Sequence, residues 1–497
     1  MSSDHEELSL LLVSANVGTL FEQPERLLEP WLNTFCAKVS QDQPDFVALH
    51  CQEVGGKSYM TGMEYVDSFV ERLLTSSDLV EYSRVRGYID KDYETKTEFT
   101  ALGSVYLVHS RVSDAAMWDF SGCRFHPVAD KEVCRIKHDN LNKDPYHRKL
   151  KYPPDFFPQF PWSRKGHIIT RWRLRNRVVD IVNVHLFHDA SNLESVSQSP
   201  SIYVANRARA LRHTLKRIEE LGLREAPMFI FGDFNFRIDL HGIVHDHLAG
   251  VNAKSTEKDG VVACIEYCHA DCSDDDTPAL KLEKKGFVLK KGIAPSCSQL
   301  IEEWRKFDKE SKQFPDLFEQ EITFPPSYPF SEDEGVTDQY MHSRPPSWCD
   351  RVLYNQACKD LLQQSSSTAD YGVIGASEEM GDHKPVCLSV GLPACAAAAV
   401  SNNSHGNNIG NSHAQQACDN GDSASGEPAA KRVSQQLRCD HTSAGGLLVT
   451  CRHMLILAML YCLTLILIQF TTGVDPITAI VIVLLLAATV LHFVDHR

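Results

Sequence analysis

Residues 231–237 read FGDFNFR, which puts a carboxylate and an amide two positions apart at the end of an apolar run. Side chains at i and i+2 of an extended segment leave the same face, so Asp233 and Asn235 converge on one point. A carboxylate there can take a proton from water, and an amide can donate to a phosphate oxygen. An Asx-rich turn after a strand is the competing reading. Residues 344–354, RPPSWCDRVLY, lead a proline-stiffened loop into a second apolar run with Asp350 at its start. Residues 381–386, GDHKPV, put Asp382 and His383 in a turn just before a third. A histidine oriented by a carboxylate has its tautomer set and stays protonated near neutral pH. That separates His383 from a lone structural histidine. Upstream, Asn16 closes LLVSAN, Glu53 closes ALHCQE and His185 closes VVDIVNVH. Acids, amides and imidazoles ending so many apolar runs exceed what turn chemistry supplies.

The donor types select the metal. No CxxC pair occurs in the chain and no thiolate cluster joins these motifs, which argues against zinc. Carboxylate, amide and water suit Mg²⁺, a hard octahedral ion bound by few protein ligands. Such an ion serves phosphoryl transfer by stabilising charge while a positioned water attacks in line.

The elements that would carry these residues alternate along the chain. Leu8–Asn16, Asp45–Glu53, Ser104–His109, Val178–Leu186, Met228–Asn235 and Cys349–Tyr354 read as buried strands. Arg26–Val39, Tyr203–Leu221 and Ser298–Gln313 read as helices. Polar groups at strand ends are where an α/β scaffold places its site. The acidic stretch Asp271–Asp276 reads as a surface loop insert. The 497-residue chain carries a formal net charge of −15. That balance excludes nucleic-acid binding through bulk charge, so a polyanion must meet a local basic pocket. Residues 162–177, WSRKGHIITRWRLRNR, supply one. Within it Arg171, Arg173, Arg175 and Arg177 alternate and share one strand face. Lys57, Arg237, Arg344 and Lys384 flank the motifs and extend a positive funnel, although each alone reads equally as a surface charge. Sixteen scattered cysteines and an N-terminus, MSSDHEELSL, unlike a signal peptide place the catalytic part in a reducing cytosol.

Taken together, GDxNxR at 232–237, PxWCDRxL at 346–353 and DHxPV at 382–386 resemble the inositol polyphosphate 5-phosphatase branch of the endonuclease/exonuclease/phosphatase superfamily. ANVGTLF (15–21), ALHCQEVGGK (48–57), FTALGS (99–104), WSRKG (162–166), VNVHLFHDASNL (182–193) and FPPSYPFSED (324–333) are similar to its type I members, which act on inositol 1,4,5-trisphosphate. The resemblance covers about Leu8 to Leu392. It implies a four-layer α/β sandwich, two packed mixed β-sheets flanked by helices. It also implies roles. Glu53 would be the main Mg²⁺ ligand with Asn16 beside it, and Asp382 would support the metal or the water network. Asp233 would orient or deprotonate the attacking water, while Asn235 and His185 hold the scissile phosphate. His383, oriented by Asp350, would stabilise the pentacovalent phosphorus. Arg164 and Lys165 would meet the ring phosphates away from the reacting one. The substrates implied are soluble inositol 1,4,5-trisphosphate and the 1,3,4,5-tetrakisphosphate, and the role implied is ending calcium-release signalling. Other readings on the same scaffold are a neutral sphingomyelinase, a nuclease and a catalytically dead membrane-tethered adaptor. WCDRVL, the Arg-Lys clamp and the presence of Glu53, Asp233, Asn235 and His383 weigh against them.

The chain departs from that family after residue 392. Residues 393–446 form a low-complexity linker too poor in large apolar residues to build a core. Residues 447–497 hold two apolar stretches, 454–470 and 477–494, interrupted by TTGVDP. Each approaches the length needed to span a bilayer, about 20 residues. They read as a C-terminal membrane anchor, two spans or a hairpin, that keeps residues 1–392 on the cytosolic side; Lys431, Arg432, Arg438 and Arg452 ahead of it agree. The type I family ends instead in a prenylation box, which this C-terminus lacks. The anchor would set the site beside lipid head groups, so a phosphoinositide lipid stays open as a substrate.

Overall fold

The structure, a computed structural model, describes residues 7–137, 144–161, 163–223, 225–248, 250–268, 278–290 and 299–393. The acidic stretch Asp271–Asp276, the linker beyond Pro393 and the apolar stretches 454–470 and 477–494 lie outside them. No helix among the described residues is long and apolar enough to cross a membrane.

The apolar runs become strands Leu8–Asn16, Phe46–Gln52, Gly103–Val108, Arg177–His185, Met228–Asp233 and Asp350–Tyr354. They divide between two mixed seven-stranded sheets. In the first, Leu8–Asn16 runs parallel to Phe46–Gln52 and antiparallel to Val386–Leu392. In the second, Met228–Asp233 runs parallel to Arg177–His185 and antiparallel to Asp350–Tyr354.

Strand alternation sorts the apolar side chains into three layers. Leu10, Leu12, Phe46 and Ala48 of the first sheet share a core with Ile168, Trp172, Ile181, Phe229 and Phe231 of the second. Leu11, Val13, Val47 and Leu49, one position out of phase, pack with Trp31, Phe35, Val66 and Phe69 of helices Pro24–Asp42 and Tyr59–Thr75. Ile169, Val182, Val184 and Ile230 pack with Tyr203, Leu211 and Ile218 of helix Ile202–Glu220. The order helix, sheet, sheet, helix is the expected four-layer α/β sandwich.

The inter-sheet core also carries polar groups near the strand ends. Gln52 Nε2 donates to Asn183 Oδ1 at 3.0 Å, and Asn183 Nδ2 donates to Gly103 O at 2.8 Å and Ser104 Oγ at 3.1 Å. His50 lies 3.2 Å from Phe231 O and 3.3 Å from Tyr106 OH, and burial lowers its pKa to about 3. Buried polar groups cost free energy unless bonded. These bonds therefore set how far one sheet can slide along the other.

Three features differ from expectation. The helix expected over Ser298–Gln313 is instead three short segments, Leu300–Trp304, Arg305–Phe307 and Glu310–Gln313. Asp308 and Glu310 are drawn inward to Arg351 and Arg207, and that demand overrides helical spacing. The four alternating arginines do not share a face. Arg175 and Asn176, at φ 47° and 60°, reverse the chain between strands Gly166–Leu174 and Arg177–His185. Arg171 then pairs with Asp180 at 2.7 Å, Arg175 with Asp45 at 2.9 Å and Arg177 with the Pro393 carbonyl at 2.9 Å. Strands Asn252–Lys258, Val261–Cys268, Leu280–Glu283 and Gly286–Leu289 form a third, antiparallel sheet.

Trp172 is fully buried, with its ring 5.0 Å from that of Phe46 and 5.2 Å from that of Tyr106 across the sheets. Trp172→Ala is expected to lower unfolding free energy by about 3–5 kcal/mol in urea titration. A loss below about 1 kcal/mol would mean that the inter-sheet core collapses around the gap.

Candidate active site

Strand register assembles the site. Parallel pairing sets His185 beside Asp233, and antiparallel pairing sets Asp233 beside Asp350. Asn16 comes from the other sheet. Asp233 is 1% exposed, and its Oδ2 lies 3.1 Å from His185 Nε2, 3.2 Å from Asn16 Nδ2 and 2.9 Å from Asn235 Nδ2. Oδ1 accepts from the Asn235 backbone N–H at 2.8 Å. Burial pushes its pKa up, but His185, His383 and Lys165 outweigh this and hold it well below the carboxylate range. Asp233 is thus a fixed, ionised acceptor.

Asn235 sits at φ 52° and Glu53, just past its strand, at φ 57°. Left-handed backbone at non-glycine residues concentrates at functional sites. The Asn235 amide nitrogen donates to Leu186 O at 3.1 Å and to Asp233 Oδ2, while its oxygen accepts from Arg237 Nη2 at 2.6 Å. In this arrangement the amide orients Asp233 and has no N–H left for a phosphate, which changes the role expected of it.

Glu53 is a quarter exposed, with Oε1 3.5 Å from Lys165 Nζ and 3.8 Å from His185 Nε2. Burial would raise its pKa, yet Lys165, His185 and Arg164 bring it down to about 2. A Cβ at Gly18 would lie 3.0 Å from Glu53 Oε2 and 3.3 Å from Asn16 Oδ1, so the glycine keeps space open beside both oxygens. An acid and an amide oxygen facing such a space fit a hard divalent cation that retains waters. Among the described residues no group of three or more His, Cys, Asp or Glu could hold a metal, so a closed cage of the zinc type is absent there. Asp382 joins through Thr19, whose Oγ1 lies 2.8 Å from Asp382 Oδ1 and 2.7 Å from Glu332 Oε1. Burial raises the Asp382 pKa, and the charges of Glu53 and Glu332 add to the rise.

On the far side of Asp233, His383 Nδ1 lies 2.8 Å from Asp350 Oδ2, which also accepts from Ser327 Oγ at 2.7 Å. Burial would lower the His383 pKa, but Asp350 outweighs it and raises the value to about 9. The imidazolium keeps its Nε2–H for another acceptor.

The basic side chains separate into two classes. Lys165 is buried, touches His185 Nε2 and, with Arg164, Phe160 and His188, lines a cleft of about 370 Å³ that also includes Glu53 and His185. Arg164 donates to Gly56 O at 2.7 Å and lies 5.1 Å from the Tyr59 ring. Arg237 and Arg344 are buried near one another; Arg344 Nη1 donates to Asn192 Oδ1 at 2.7 Å. Lys57 is exposed and pairs with Glu22 at 3.4 Å. Lys384 departs from expectation. Its ammonium donates to the carbonyls of Gly375, Ala376 and Glu378. An ammonium has three N–H groups, so Lys384 clamps this loop and is withdrawn from the substrate contacts.

The family model described as "Endonuclease/Exonuclease/phosphatase family 2" matches residues 296–389. Human inositol polyphosphate-5-phosphatase A is 41% identical over 391 residues, covering 77% of this chain and 92% of that protein. A probable type I inositol 1,4,5-trisphosphate 5-phosphatase of Caenorhabditis elegans is 34% identical over 418 residues, covering 77% and 99%. The chain belongs to the inositol polyphosphate 5-phosphatase family. Among solved structures, the 5-phosphatase domain of SPsynaptojanin, in complex with inositol (1,4)-bisphosphate and calcium, aligns over 78% of this chain and 85% of that one, with 15% identity and a TM-score of 0.40.

In this 5-phosphatase several site residues gave no chemical signal in the sequence. Gly18 and Thr19 act by leaving space and by bridging carboxylates, Ser327 by orienting Asp350, and His188 by lining the cleft. All lie inside strings that carry the family resemblance, but only proximity reveals their use. Arg237 was legible through its position two residues after Asn235.

The His383–Asp350 pair generates a prediction. The folded pKa lies above that of an unfolded imidazole, so the pair's stabilisation is complete below about pH 6.5 and is lost as pH rises through about 9. NMR titration of His383 should show a midpoint near 9. In Asp350→Asn the midpoint should fall, because burial then acts without its counter-charge. An unchanged midpoint would break the assignment.

Proposed function

We propose that this 5-phosphatase uses Mg²⁺ to remove the 5-phosphate of soluble inositol 1,4,5-trisphosphate, and of the 1,3,4,5-tetrakisphosphate, and so ends calcium-release signalling. The observation that carries the reading is Asp233, a buried carboxylate kept ionised by groups from neighbouring strands beside Glu53 and the His383–Asp350 pair. The nematode relative's name specifies inositol 1,4,5-trisphosphate, and a clamp of buried cations suits a substrate bearing several phosphates.

Glu53 and Asn16 would hold the cation, whose Lewis acidity neutralises charge on the phosphoryl and leaving oxygens when bound. Asp233, with both oxygens fixed, orients a water in line with the phosphorus by accepting its hydrogen bond, and takes its proton only as the bond to phosphorus forms. His383 donates Nε2–H to a phosphoryl oxygen, and Asp350 keeps that proton in place as charge builds. Lys165 and Arg237 add positive charge on the same phosphate, while Arg164 and Arg344 take phosphates elsewhere on the ring. His185, wedged between Lys165 and Asp233, maintains their separation.

Phosphate release from inositol 1,4,5-trisphosphate is expected with Mg²⁺ and not with EDTA. Asp233→Ala should lower kcat by about a thousandfold or more. Vesicles of phosphatidylinositol 4,5-bisphosphate should be the poorer substrate. Release from the vesicles alone would move the reading to lipid turnover. Gly18→Ala, which crowds Glu53 Oε2 and Asn16 Oδ1, should raise the Mg²⁺ concentration needed for half-maximal rate. An unaltered Mg²⁺ dependence would remove these two oxygens from the metal.

We further propose that residues 454–470 and 477–494 tether the enzyme to a membrane, a reading supported by their near lack of charge. The full chain should stay in the membrane pellet after alkaline carbonate washing, and release into the wash would overturn the tether.

A further inference from the structure

We propose that Tyr328 is a positioning residue for the reaction, its ring fixing the Arg237 guanidinium and the His383 imidazole at one spacing so that both meet the same phosphoryl group. The inference rests on the reading above of Arg237 and His383 as phosphate-binding groups. The Arg237 Cζ lies 4.5 Å from the centroid of the Tyr328 ring, and the His383 ring centroid lies 4.4 Å from it, with the planes inclined by 37°.

The buried arginines of this protein show why a ring matters here. Arg207 is held by Asp189 and Glu310, and Arg351 by Asp308 and Glu319. In both, carboxylates neutralise the charge and occupy the donors, as expected for structural arginines. Arg237 is also buried, at 8% exposed. Yet its side chain donates only to the neutral oxygen of Asn235, and Nε and Nη1 have no hydrogen-bond partner among the described residues. Buried donors without partners are costly. An aromatic face offsets part of that cost by attracting the cation without consuming its N–H groups, which lie in the guanidinium plane. The ring thus retains both a charge and free donors for an incoming anion, which a carboxylate would cancel.

Tyr328 is itself rigidly placed. Its backbone pairs with Ser347 in both directions, at 3.3 and 2.8 Å, in the loop that leads to Asp350. The adjacent Ser327 accepts from Lys384 N–H at 3.0 Å through its carbonyl and donates to Asp350 Oδ2 through its hydroxyl. One dipeptide is therefore tied to both motif loops. It reaches His383 directly and Asp233 through Arg237 and Asn235.

The test is steady-state hydrolysis of inositol 1,4,5-trisphosphate by the full chain with Mg²⁺. The wild-type rate is measured first, and a wild-type enzyme without activity would break the functional reading rather than this inference. Tyr328→Phe keeps the π face and should retain at least about half of wild-type kcat. Tyr328→Leu and Tyr328→Met remove it and should lower kcat by about tenfold or more, with KM changing by less. In an Arg237→Lys background, Tyr328→Leu should cost far less than in the wild type, because the two residues act as one unit. Three results would overturn the proposal: a Leu variant as active as wild type, a Phe variant as impaired as Leu, or fully additive losses. If neither Leu nor Met folds, NMR of the wild-type protein decides. The Arg237 side-chain protons should be shifted upfield by the ring, and unshifted resonances would overturn the placement.

Discussion

The site depends on keeping one carboxylate charged where water is excluded. Asp233 is enclosed by protein, and an isolated carboxylate there would protonate rather than remain ionised. Its charge survives because His185, Asn16 and Asn235 donate to it and because Lys165 and His383 lie close by. Those groups come from strands of both sheets and from a loop. Any shift of one sheet against the other would leave a buried charge with fewer partners, so keeping Asp233 ionised is also a requirement on the fold.

The polar seam between the sheets meets that requirement. Gln52 bonds to Asn183, one residue before Glu53 and two before His185. Fixing that pair therefore fixes the offset between the acid of one sheet and the imidazole of the other. Apolar packing alone would tolerate a range of offsets, since Leu and Val contacts are non-directional. Hydrogen bonds with defined geometry do not. The seam thus converts a generic sandwich into one with a single alignment of strand ends.

Charge is handled differently in the scaffold and in the site. In the scaffold, buried cations meet carboxylates, as Lys149 meets Asp90 at 2.6 Å and Arg207 meets Glu310 at 2.6 Å. In the site, Lys165 is 3.5 Å from its nearest acid and Arg237 rests on an aromatic ring. The net positive character expected of a polyanion site arises from this incomplete pairing. The number of basic residues does not produce it: the arginine-rich stretch 171–177 is used by the scaffold, and Lys384 is used by a loop.

Much of this was readable from residues alone, for reasons that are local. The strands were legible because β-branched and leucine runs alternate between two cores. Asp233, Asn235, His383, Glu53, Asn16 and His185 were legible because polar groups end those runs, and strand periodicity dictates which way side chains leave the chain. The sequence by itself therefore determined the sandwich, the family and most of the acids and imidazoles of the site. Tertiary structure decided which cations remain available, that Asn235 serves Asp233, that Asp308 and Glu310 break a helix to reach buried arginines, and that Tyr328 faces Arg237 and His383. These depend on pairs far apart in the chain, and no local spacing encodes which partner a charged side chain meets once water is gone.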